Sequence, residues 1–89
     1  MSKVVSGVLT ARKKPSFVAV IRYTGKNYAQ IFAFTGGKVR EFSRDGVILV
    51  ESLDGVMQCK VGDFVIKGAK GEFTPCNKDI FALTYDLIF

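Results

Sequence analysis

The chain reads as an α+β fold: a small single domain with a curved antiparallel β-meander and two short helices. Three observations predict it. Asp-Gly pairs separate alternating apolar runs, two segments open on helix-capping asparagines, and 89 residues with 48% hydrophobic content allow one small core and no second module. With 24% charged residues, the composition is that of a globular chain rather than a disordered one.

Residues 17–23, Phe-Val-Ala-Val-Ile-Arg-Tyr, are β-branched and aromatic and are bounded by Pro15 and by Thr24-Gly25, which predicts a strand buried on much of both faces. Residues 27–34 predict a helix. Asn27 and Gln30 match a capping box in which each side chain satisfies a free backbone N–H, and Gly36-Gly37 suits the left-handed end. Tyr28, Ile31 and Phe32 or Phe34 turn inward. Four strands follow, at 38–42, 47–53, 56–60 and 63–67, separated by Asp45-Gly46, Asp54-Gly55 and Val61-Gly62. Asp-Gly suits a type I′ hairpin, whose two central residues both need positive φ, so three successive links predict a meander. Asn77 then caps a helix over 78–85, with Asp79 in its first turn and Ile80, Leu83 and Thr84 forming one stripe beside Phe81 and Tyr85. Ahead of all these, residues 7–11 form a short strand-like run.

Thirteen Lys and Arg against eight Asp and Glu give a net charge of +5, a bias toward anionic partners or simply toward solubility. Cys59 and Cys76 are expected to be buried thiols. They form no C-x-x-C pair and the chain has no histidine, so no metal site is expected. The first nine residues are too short an apolar run for a signal peptide, and no stretch approaches the ~20 apolar residues of a membrane span, so the expected location is the cytoplasm.

Catalysis has little to stand on. The carboxylates are scattered, and Ser2, Ser6, Ser16, Ser43 and Ser52 lie in no nucleophile-elbow pattern. Within Val61–Phe73, VGDFVIKGAKGEF, Asp63 reads as an Asx-type turn residue and Glu72 as a partner of Lys67 or Lys70; the alternative is an acid/base pair across a 62–72 hairpin. Gly62, Gly68 and Gly71 match no phosphate-loop pattern and read as bends, with Lys67 and Lys70 offering charge to an anion. The run Arg12-Lys13-Lys14-Pro15 is either a solvated face or a phosphate clamp displayed on an extended segment, joined by Arg22 and Lys26. Among these the arginines suit bidentate phosphate contact best, and Tyr23 or Tyr28 offers a stacking ring.

Several of these motifs fall in one order: Arg12-Lys13-Lys14-Pro15, Arg22-Tyr23-Thr24-Gly25, Leu53-Asp54-Gly55, Gly62-Asp63-Phe64-Val65-Ile66-Lys67-Gly68, Gly71-Glu72-Phe73, Pro75-Cys76, Asp79-Ile80-Phe81 and Thr84-Tyr85. This order resembles a large family of short bacteriophage and prophage proteins, PGDYG-like, over residues 11–85. Val61, Ala69, Thr74 and Lys78 stand where the family usually has proline, valine, tyrosine and proline, and Tyr23 stands at a frequent tryptophan. The resemblance implies a phage origin and a small compact domain, without naming a reaction.

Joined to the lack of catalytic residues, it leads to the expectation of a non-enzymatic anti-defence protein that needs no cofactor. Such a protein sequesters an anionic, nucleotide-derived signal in a pocket lined by Arg12, Lys13, Lys14, Arg22, Tyr23, Lys67 and Lys70. The alternatives are a protein that blocks a host defence enzyme or nuclease by direct contact, and a nucleic-acid-binding accessory protein. The apolar tail, Asp86-Leu87-Ile88-Phe89, is expected to add a strand or to pack on another copy, making a homo-oligomer.

Overall fold

A computed structural model describes residues 6–7, 9–11 and 17–88, in which six strands and two helices form an α+β domain. Residues 9–11, expected in a strand, are exposed and in none. The strands are β1 (Ala19–Arg22), β2 (Val39–Glu41), β3 (Ile48–Ser52), β4 (Gly55–Cys59), β5 (Phe64–Lys67) and β6 (Phe73–Cys76). The helices are α1 (Tyr28–Phe34) and α2 (Lys78–Thr84).

The strands divide into two antiparallel sheets, ordered β1-β5-β6 and β2-β3-β4, rather than one meander. The first two predicted links are hairpins, β2–β3 and β3–β4. Their turns are not type I′, because among the described residues only glycines have positive φ. Each Asp instead completes a turn with negative φ, and only Gly46 (φ 84°) and Gly55 (φ 107°) take the left-handed step into the next strand. Ser43 O accepts from Gly46 N at 3.2 Å, and the Ser52 hydroxyl donates to Gly55 O at 2.7 Å.

The third link, Val61-Gly62, is a corner between the sheets. Asp63 N donates to Lys60 O and Lys60 N to the Asp63 carboxylate, at 2.9 and 3.0 Å, which closes the turn. Gly62 N then donates to Tyr23 O (2.7 Å) and Tyr23 N to Asp63 O (2.9 Å), so the chain leaves β4 already zipped to the end of β1. β5 continues that ladder, with Arg22 opposite Phe64 and Ala19 opposite Lys67. β6, unassigned from sequence, pairs on the other side of β5. Val65 directs its backbone toward β1, so it and Pro75 form a non-hydrogen-bonded pair in which the Pro75 nitrogen turns away from β5, and the missing N–H costs that ladder nothing.

β6 lies against β3 and β4, and the core fills the space between the sheets. It contains Tyr23, Ile31, Val39, Ile48, Val50, Cys59, Val65 and Phe73, with Ile21, Tyr28 and Phe34 at its margin. Of the two alternatives at the end of α1, Phe34 packs inward, its ring edge-on to Phe73 at 5.6 Å, while Phe32 is exposed. The expected capping box is absent. Asn27 faces back instead, accepting from Thr24 N (2.8 Å) and donating to Arg22 O (2.8 Å), so it braces the β1–α1 turn rather than the helix. Asn77 does cap α2, accepting from Asp79 N at 2.8 Å. The inward face of α2 is Phe81 with Tyr85, not the predicted stripe: Ile80 is 56% and Leu83 85% exposed.

Cys59 is fully buried and Cys76 partly so; burial, reinforced by the nearby Asp63 charge, pushes the Cys59 thiol up to about 12 from 9.0. Burial, then the Cys59, Glu41 and Tyr28 charges, also raises Tyr23, whose hydroxyl donates to Gly46 O at 2.6 Å. Both groups ionise first in the unfolded chain: the Cys59 contribution to stability is whole below about pH 9 and is lost as pH rises toward 12, and the Tyr23 contribution, whole below its ordinary 10.0, is lost in the same direction. Urea unfolding is expected to show stability falling by up to about 1.4 kcal/mol per pH unit per group above that point. In Cys59→Ala the slope should be shallower. A midpoint unchanged between neutral and strongly alkaline pH contradicts the assignment.

Candidate functional site

The stretch from Val61 to Phe73 resolves into two separate turns joined by β5. At one end, Gly62 and Asp63 form the corner described above. At the other, Gly68–Glu72 makes the hairpin tip: Gly68 N donates to Glu72 O (2.8 Å), Gly71 N to Gly68 O (3.0 Å) and Lys70 N to the Glu72 carboxylate (3.0 Å). The four residues of β5 hold the two carboxylates roughly 13 Å apart or more, too far for an acid/base pair. Both acids accept backbone N–H groups, as turn residues do. The three glycines likewise surround no common point.

The basic candidates are also dispersed. Arg12, Lys13 and Lys14 lie outside the described residues. Tyr23 is 3% exposed with its hydroxyl committed to Gly46, so it has no free ring face for a base. Arg22 and Lys67 are three registers apart on the β1–β5 ladder, about 10 Å along the strand and on opposite faces of the sheet. Lys67 and Lys70 share the hairpin end with Glu72.

The Arg22 guanidinium lies 5.8 Å from the Phe64 ring centroid, within cation–π range. Phe64 stacks on Phe81 at 4.0 Å and 13°, and Phe81 on Tyr85 at 5.1 Å and 23°. This column attaches α2 to the outer face of the β1-β5-β6 sheet. Lys78, at the start of α2, comes near Arg22: a Cβ at Gly62 would lie 3.7 Å from Lys78 Cδ and 4.0 Å from Arg22 Nη2.

Because a seven-residue helix cannot cover the sheet, open clefts flank it. One, of about 450 Å³, lies between Phe17–Val20 and the tail, with Phe81, Tyr85, Leu87 and Ile88 on its wall. The other, of about 500 Å³, lies between α2 and the β5–β6 hairpin, lined by Ile66, Thr74, Ile80, Thr84, Tyr85 and the β3–β4 turn at Leu53. Neither is lined by a lysine or arginine among the described residues; their charged lining is Asp86 in the first and Asp54 and Glu72 in the second. Ile80, Leu83 and Thr84 share one stripe by their spacing, with Phe81 and Tyr85 beside it, and the spacing does not say which side is buried. The discriminating signal is length: seven residues seat only two rings, and Phe81 and Tyr85 are the larger pair.

Among the described residues no cluster of His, Cys, Asp or Glu is placed to hold a metal, and no helix is long and apolar enough to cross a membrane. No protein-family model matches the chain, and no curated protein or solved structure matches it.

The hairpin tip depends on a steric fit between two motif residues. A Cβ on Gly68 would overlap the Glu72 carboxylate. Gly68→Ala swings the Glu72 carboxylate away from Lys70 N and is expected to cost about 0.5–1.5 kcal/mol in chemical denaturation. In a Glu72→Ala background, where that bond is already gone, the same change should be near neutral, since Gly68 has no positive φ, giving a coupling of about 0.5–1 kcal/mol. Additive costs contradict the fit.

Proposed function

We propose that this chain is a non-enzymatic bacteriophage protein that acts in the cytoplasm of its bacterial host by binding a host protein, most directly a defence enzyme or nuclease. The phage setting comes from the motif order. The observation that carries the binding mode is the cleft between α2 and the β5–β6 hairpin: apolar on its walls, open to solvent, and edged by Asp54 and Glu72. It fits a protein segment that inserts one or two apolar side chains and sets a lysine or arginine against those acids.

The nucleotide reading draws less support from the geometry. A small ligand is normally enclosed over most of its surface by convergent polar groups, whereas Arg22 lies on the opposite sheet face from Lys67, and Arg22, Lys67 and Lys70 all lie outside the lining of both larger clefts.

Tagged protein in bacterial lysate, with crosslinking, is expected to retain one protein at near one-to-one yield. Ile80→Asp, at an exposed position, should keep the fold by circular dichroism and weaken capture on the order of tenfold or more. Undiminished capture by the folded variant overturns the cleft as the surface. Tight calorimetric binding of a cyclic nucleotide or ADP-ribose derivative, with no protein retained, overturns the protein-binding reading in favour of nucleotide sequestration.

A further inference from the structure

Among the described residues β1 is an edge strand, with β5 on one side and no strand on the other. Tyr23 directs both backbone groups to the Gly62-Asp63 corner, so by alternation Ile21 and Ala19 face β5, and Val18, Val20 and Arg22 direct theirs away from the sheet. Arg22 O accepts from the Asn27 side chain; among the described residues no strand pairs with Val18 or Val20 on that side. Edges are ordinarily blunted by a charge, a proline or a bulge. Phe17-Val18-Ala19-Val20-Ile21 has none of these, and Phe17 is 85% exposed. The tail runs beside this edge without pairing to it, leaving Leu87 and Ile88 exposed around the 450 Å³ cleft.

We propose that β1 pairs antiparallel with β1 of a second copy, about a two-fold axis at Val20, merging the two three-stranded sheets into one of six. In that register each Val20 bonds its counterpart, and Arg22 lies opposite Val18 of the partner subunit. Charge complementarity selects a second copy as the occupant. Val18 lines the same cleft as Asp86, and both Arg22 and Asp86 are exposed, on the sheet face that carries α2. Pairing about Val20 therefore sets each Arg22 at the mouth of the cleft that Val18 and Asp86 of the partner subunit line, an opposite charge facing it twice per dimer. The cleft that the tail leaves open is closed by the same contact. An isologous interface of this kind needs only one self-complementary patch. Val18 and Tyr85 line both this cleft and the hairpin cleft assigned to a host protein, whereas Val20, Asp86 and the β1 backbone belong to this side alone and Ile80 to the other, so the variants at those positions test the two surfaces separately.

Sedimentation of the full chain over about 5–200 μM tests it, and a dimer is expected. Val20→Pro removes an outward N–H without touching the β5 ladder and should give a monomer. Should that variant fail to fold, Arg22→Glu and Asp86→Arg carry the test: each is expected to weaken the dimer by on the order of tenfold, and the charge-exchanged pair to restore it. A wild-type monomer throughout the range overturns the proposal, as does a dimer indifferent to the folded single variants. Failure of the exchanged pair to recover affinity overturns the register.

Discussion

Tyr23 is the residue on which the arrangement of the two sheets depends. Its backbone zips β1 to the Gly62-Asp63 corner in both directions, and its hydroxyl reaches across to Gly46 in the β2–β3 turn. One buried side chain thus joins the end of one sheet to a turn of the other, while the adjacent Val61 packs so closely on Gly25 and Gly46 that a Cβ at either would stand 3.0 or 3.1 Å from its Cγ2. A phenol buried without a partner would forfeit about 1–3 kcal/mol, so the Gly46 carbonyl is a condition of placing a tyrosine there. Had the corner paired back onto β4, the chain would have been the single meander that its turns suggested.

Much of the fold was legible because it is written locally. Both helices, the Gly36-Gly37 close and the β2–β3–β4 hairpins follow from spacing and turn residues within a few positions. What was not legible is what depends on distant partners. Val61-Gly62 looks like its two predecessors until Tyr23 is seen to take its backbone groups. Thr74-Pro75-Cys76 does not look like a strand until Val65 is seen to face the other way. Asn27 satisfies the capping pattern, yet the carbonyl of Arg22 and the N–H of Thr24 compete for its side chain and take it.

The candidate site divides along the same line. Asp63 and Glu72 could be read as turn acids, since each accepts an N–H within three residues of itself. Grouping the cations could not be read, because it depends on strand parity: Arg22 and Lys67 are separated by an odd number of registers and point to opposite faces. A net charge of +5 says how many positive groups are in excess, and nothing in it says where the register puts them.

The aromatic column has a consequence for where contacts with other molecules are concentrated. A helix long enough to shield the outer sheet face would need about three turns, and α2 has barely two. It is held by Phe81 stacked on Phe64, with Tyr85 stacked in turn on Phe81, and by the Asn77 cap, so its remaining apolar side chains, Ile80 and Leu83, are free to stay in solvent. Anchoring a short helix through stacked rings at one face fixes its position while leaving its flanks unfilled. The sheet beneath then presents Val18, Val20 and Ile66 on either side of it. Apolar surface of this kind is costly to leave in water at about 25 cal/mol per Å², and that cost is recovered on contact with another chain.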